Sequence, residues 1–170
     1  MDLRKTIVAE HSKDNCNRIV KWIGDSQVRF DELFKLFMHD EYRVVQRAAW
    51  PLSYCAIDHP ELIQKHLGKL LKHMEKPGLP IAVKRNAVRL LQHIEIPERY
   101  HGKVMDLCFD YITSIDEAVA VKAFSLTILQ NLSRQYPEIK NELKLVIEER
   151  WNYESVAFKS RAKKILKEMN

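Results

Sequence analysis

The chain has 170 residues, 46% of them hydrophobic and 30% charged, the size and make-up of one soluble globular domain. Four Gly and six Pro are too little punctuation for a many-turned β sandwich, and a mean hydropathy of −0.35 with no long apolar run argues against a membrane span. A net charge of +5 permits contact with an anionic partner without requiring one.

In chain order, Leu3–Ala9 and Asp14–Ile23 read as short, atypical helices of an N-terminal cap. Neither contains an apolar core of signal-peptide length, so export is not expected. Cys16, Cys55 and Cys108 are an odd number without a CxxC pair. They describe a reduced, cytoplasmic setting and neither a disulfide framework nor a zinc site. Phe30–Met38 is the outer helix of the first full pair. Pro60–Met74, Pro97–Ile112 and Pro137–Glu149 follow as further outer helices, each opened by a Pro-Glu pair suited to helix entry.

Between them runs a repeat. Segments starting at Val45, Val83, Val121 and Phe158 are separated by 38, 38 and 37 residues. Their fifth positions are small (Ala49, Ala87, Ser125, Ala162) and their eighth are Leu52, Leu90, Ile128 and Ile165. Positions 1, 5 and 8 share one helical stripe, so each segment buries one face and keeps a small residue where backbones approach. Ahead of the segments stand Asp40–Glu41, Asp116–Glu117 and Glu154, carboxylates expected to accept from the orphan amides at a helix start. The second unit enters instead through Pro77, Gly78 and Pro80.

The reading is therefore helix A, turn, helix B, four times: a cap over residues 1–27, then hairpins at about 28–58, 59–95, 96–135 and 136–170 of a single domain. One hairpin cannot bury both faces of its helices, so each needs neighbours. The pattern D-E-x-x-x-V-[QK]-x-x-A-x-x-L, clearest at 40–53 and 116–129, resembles HEAT or HEAT-like repeats. The resemblance implies an all-α, right-handed α-solenoid whose B helices line a concave surface.

Catalytic chemistry has no visible residues to run on. No Gly-rich phosphate loop, GxSxG or paired-carboxylate spacing occurs, and an enzyme is not expected. His59, His66 and His73 stand seven apart, a spacing that suits structural or solvated side chains better than metal ligands. The three thiols read as buried and inert. No metal or cofactor is implied. Pro51, inside the first B helix, removes a backbone donor and is expected to bend it, and with Trp50 it could shape a groove.

Positions 3, 7 and 10 of each B segment fall opposite the buried stripe: Arg47, Pro51, Tyr54; Arg85, Arg89, Gln92; Ala123, Thr127, Gln130; Ser160, Lys164, Lys167. Arg supplies a planar donor fork and Tyr a rigid amphipathic contact, both suited to recognition. Arg47, Tyr54, Arg85, Arg89, Gln92, Gln130 and Lys164 are thus the candidate partner-binding residues of a non-catalytic protein-interaction scaffold. The partner itself is not named by the sequence. The alternative is a nucleic-acid binder. It rests on a weaker similarity to HEAT-like alkylpurine DNA glycosylases, which would set Arg47, Arg85, Arg89 and Lys164 against phosphates. Their aromatic-plus-Asp site has no assignable counterpart among Trp22, Trp50 and Trp151. Lys65, Lys69, Lys72 and Lys76 form a separate stripe on an A helix, read as a solvated face.

Overall fold

Apolar side chains at helical spacing, with few glycines to interrupt them, leave the backbone one regular way to satisfy its own polar groups. A computed structural model describing residues 1–170 has eleven α-helices, two short 3-10 turns and no strand. The helices gather into two compact units, residues 1–95 and 96–170.

The first unit holds α1 (Leu3–Ala9), α2 (Lys13–Ile23), α3 (Gln27–His39), α4 (Tyr42–Asp58), α5 (Glu61–Gln64), α6 (Leu67–Met74) and α7 (Ile81–Leu91). The first three start on side-chain caps: Asp2, Ser12 and Ser26 accept from the amides of Lys5, Asn15 and Arg29. Each satisfies one orphan donor of its helix start. Gly24 ends α2 at φ 51°, a left-handed geometry that glycine adopts without steric cost. α4 is the centre of the unit: α3 and α7 pack against it, and α1 and α2 lie on it as well. Phe30, Leu33 and Phe37 of α3 meet a core that includes Val44, Ala48, Leu52 and Cys55 of α4, all essentially buried. Burying each large side chain contributes about 1.5–3 kcal/mol, which is how helices too short to persist alone become stable.

The second unit holds α8 (His101–Thr113), α9 (Val119–Ser133), α10 (Ile139–Arg150) and α11 (Val156–Met169). α9 takes the central place here, with α8 and α11 packed on it. Of the twelve residues at repeat positions 1, 5 and 8 across both units, eleven are buried. Val45 is the exception, half-exposed, because its neighbour Val44 occupies the buried place.

Several local expectations need correcting. Pro60–Met74 is not one helix but α5 and α6, parted at Lys65 and His66, where the His66 amide donates to Ile63 O at 2.8 Å with the tighter 3-10 pitch. Both side chains at the break reach back to Asp31 of α3. The helix expected from Pro97 begins as a 3-10 turn, Glu98–Tyr100, and α8 proper starts at His101. The acidic pairs do not cap as expected either. α4 and α9 start at Glu41 and Ala118 without a side-chain cap, and α11 is capped by Ser155. Asp40 instead receives Arg4, and Glu154 receives Lys122 and Arg150. Nearest-neighbour amides turn to two of the carboxylates, Glu41 N to Asp40 and Ala118 N to Glu117.

A candidate docking groove between α4 and α7

α4 and α7 are the B helices of consecutive hairpins and pack against each other, with the small residues Ala49 and Ala87 both buried. Outside that contact, a groove of about 250 Å³ opens between them. α4 contributes Gln46, Trp50 and Tyr54, one residue per turn. α7 contributes Ala82, Arg85, Asn86 and Arg89, and His11 closes one end from the α1–α2 turn.

The walls are held in place by a buried polar set. Asn86, 2% exposed, donates through Nδ2 to Ala82 O at 2.8 Å, which fixes which way its amide faces. Its Oδ1 accepts from Arg89 Nη1 at 3.0 Å and lies 3.1 Å from Ser53 Oγ of α4. Arg89 therefore has a defined direction, and its guanidinium sits over the Tyr54 ring at 5.8 Å. Trp50 is gripped edge-on by His11, ring centres 5.6 Å apart, and Tyr54 stands 6.5 Å beyond. The result is an aromatic wall facing an arginine wall. None of the eight lining residues is acidic.

Tyr54, Arg85 and Arg89 are thus brought together. The other expected residues are not in the groove. Arg47 points away from it and donates to the carbonyls ending α1, Val8 O at 2.7 Å and Ile7 O at 3.5 Å. There it answers orphan acceptors of a helix C-terminus. Gln92 caps the end of α7. Gln130 and Lys164 belong to the second unit, where Gln130 donates to Glu168 of α11 and Lys164 is exposed. Pro51 and Ala123, expected on the outer face, are buried. For Pro51 the reason is plain: α1 and α2 cover that side of α4, so the open stripe of α4 is turned by one residue, from 47–51–54 to 46–50–54. Gln46, His11 and Asn86 were not singled out by spacing. Only the cap's position over α4, a tertiary feature, would have revealed the shift.

The remaining chemistry-bearing side chains are accounted for structurally. Burial pushes the thiols of Cys16, Cys55 and Cys108 up to about 11, 12 and 12, far from reactive thiolates. His66 stacks on Phe34 at 4.1 Å and meets Asp31 Oδ1 at 2.6 Å. His73 is buried with its Nδ1 unpartnered, and burial, then Lys76 and His39, hold its pKa below the usual histidine range. His59 stays beside Glu61.

A larger cavity of about 680 Å³ lies within the second unit. Its rim includes the exposed Ile115, Val119 and Tyr153. In its wall, Glu154 Oε1 accepts from Lys122 Nζ at 2.7 Å and from Arg150 Nε and Nη2 at 2.9 and 2.8 Å. With Glu117 also present, two cations face two carboxylates, so the site is charge-balanced.

No helix is long and apolar enough to cross a membrane. Comparison with curated proteins and with solved structures gives no match. The HEAT repeat domain family matches residues 3–169, nearly the whole chain, in accord with the all-α hairpins and their buried repeat positions. The chain therefore belongs to the HEAT repeat domain family, as a helical scaffold and interaction module.

Proposed function

We propose that the protein is a non-catalytic module that docks a partner protein on the B-helix face of residues 1–95, with Trp50, Tyr54, Arg85 and Arg89 as its anchors. The observation that carries this reading is the α4–α7 groove, where aromatic and arginine side chains converge on one open channel. Those residue types dominate the energetics of protein interfaces. Gln92 lies at the end of the same helix and would meet the edge of a bound partner. A reducing, cytoplasmic setting suits three buried free cysteines.

The test is affinity capture from the native cell with wild type and the double variant Arg85→Glu/Arg89→Glu, followed by mass spectrometry. A specific partner retained by wild type and lost from the variant is expected. If charge reversal leaves every captured protein bound, the face is misassigned. A gel shift at 50 and 200 mM salt addresses nucleic acid: binding that falls on the order of 1,000-fold over that range would replace this reading.

A further inference from the structure

We propose that the α4–α7 groove recognises an acidic, extended segment of its partner. A carboxylate of that segment is gripped by Arg85 and Arg89, and an apolar side chain beside it lies against Trp50 and Tyr54. This rests on the docking reading above and adds the chemistry of what is docked.

Charge is the first argument. The groove is lined by two arginines and one histidine with no acid among its eight residues, whereas the cavity of the second unit balances cation against carboxylate. Residues 1–95 carry sixteen Lys and Arg against twelve Asp and Glu, with Lys65, Lys69, Lys72 and Lys76 of that set on the α5–α6 segment away from the groove, and residues 96–170 carry twelve against eleven. Most of the net positive charge is therefore in the unit that holds the groove.

Preorganisation is the second. Arg89 is oriented before any ligand arrives, through Asn86 Oδ1 and the Tyr54 ring. A guanidinium so directed meets a carboxylate with little further loss of side-chain freedom. Arg85 lies one turn earlier on α7, exposed and on the same side.

Size decides between an acidic peptide and a nucleic acid. A volume of about 250 Å³ holds one or two side chains. A protein that holds nucleic acid through its backbone sets a track of cations against successive phosphates, commonly about six to ten. Only two arginines line the groove, and the third arginine of this face, Arg47, is committed to the carbonyls of α1.

The test is fluorescence anisotropy with three labelled probes against the full chain. They are a 12-residue peptide of Asp and Glu around a central Phe, the same peptide with Asn and Gln, and a 12-nucleotide oligothymidylate. The acidic peptide is expected to bind, with an affinity at least tenfold above its amide counterpart. Arg85→Glu/Arg89→Glu is expected to abolish that preference, and Arg85→Lys/Arg89→Lys to weaken binding by severalfold because the fork is lost. Tyr54→Ala, at an exposed position, should weaken it similarly while leaving the helical circular dichroism unchanged. Equal binding of both peptides, indifference to charge reversal, or tighter binding of the oligonucleotide would each overturn the inference. If the acidic peptide fails while a captured partner is still lost from the Arg85→Glu/Arg89→Glu variant, the chemistry is wrong and the docking face stands. If that partner is retained, the face itself is wrong.

Discussion

Lys122 is 3% exposed, an environment in which an ammonium group persists only if something answers its charge. Glu154 does so from the segment just ahead of α11, and the same oxygen takes Arg150. Such a pair adds little over a well-packed apolar one, yet breaking it from one side leaves a buried charge without compensation. Glu154→Gln is therefore expected to destabilise the fold by about 3–5 kcal/mol, read as a shift in the urea unfolding midpoint. Replacing both groups, Lys122→Met with Glu154→Leu, should recover a large part of that loss. A single variant as stable as wild type would mean that water reaches Lys122. The same carboxylate was expected to cap a helix, and the sequence alone could not separate the two roles. Serine beside it takes the cap, and only packing places Lys122, thirty-two residues earlier, within reach.

At the scale of elements, the junction of α5 and α6 is tied to α3 by one carboxylate. Burial alone would push Asp31 up, but hydrogen bonds from Lys65, His66 and Gln27 outweigh it and hold the group at about 2. A folded pKa below the unfolded value of roughly 3.9 means that this stabilisation is complete above about pH 4 and disappears as pH falls towards 2. Asp31→Asn should thus lower the unfolding midpoint at pH 7, modestly because the group is partly solvated, and the gap to wild type should narrow as pH falls below about 4 and close only near about pH 2. A gap independent of pH would assign the loss to packing. The helices themselves were legible beforehand, because the stripe of Val, small residue and Leu or Ile states its own burial. Their breaks were not. The split at Lys65–His66 depends on a partner thirty-four residues away, and nothing in PELIQKHLGKLLKHM announces it. The groove was half legible for the same reason: Tyr54, Arg85 and Arg89 follow from helical spacing, whereas Gln46 and Asn86 depend on how α1 and α2 turn the exposed side of α4.

At the scale of the whole molecule, the family match over residues 3–169 and the recurring hairpins describe a helical repeat scaffold. Arg85 and Arg89 give the groove its positive charge, so a partner held there should release as ions screen the attraction. With two arginines engaged, raising salt from 50 to 200 mM is expected to weaken capture by no more than about tenfold. A loss a hundred times larger would report a phosphate track, and no loss at all would report an apolar dock.

Within each unit the hairpins share a repeat but are joined by unlike polar clasps. α1 meets α4 through Arg47 on Val8 O, and the α3–α4 turn through Arg4 on Asp40; α4 meets α7 through Ser53 and Asn86; α9 meets α11 through Arg161 on Thr127, with Lys122 held by Glu154 just ahead of α11. Tandem copies with matching hydrophobic faces are prone to slip by one repeat as they assemble. Here a slipped pairing would strand a lysine or an asparagine in the interior, so each seam admits its own neighbour and rejects the look-alike next door.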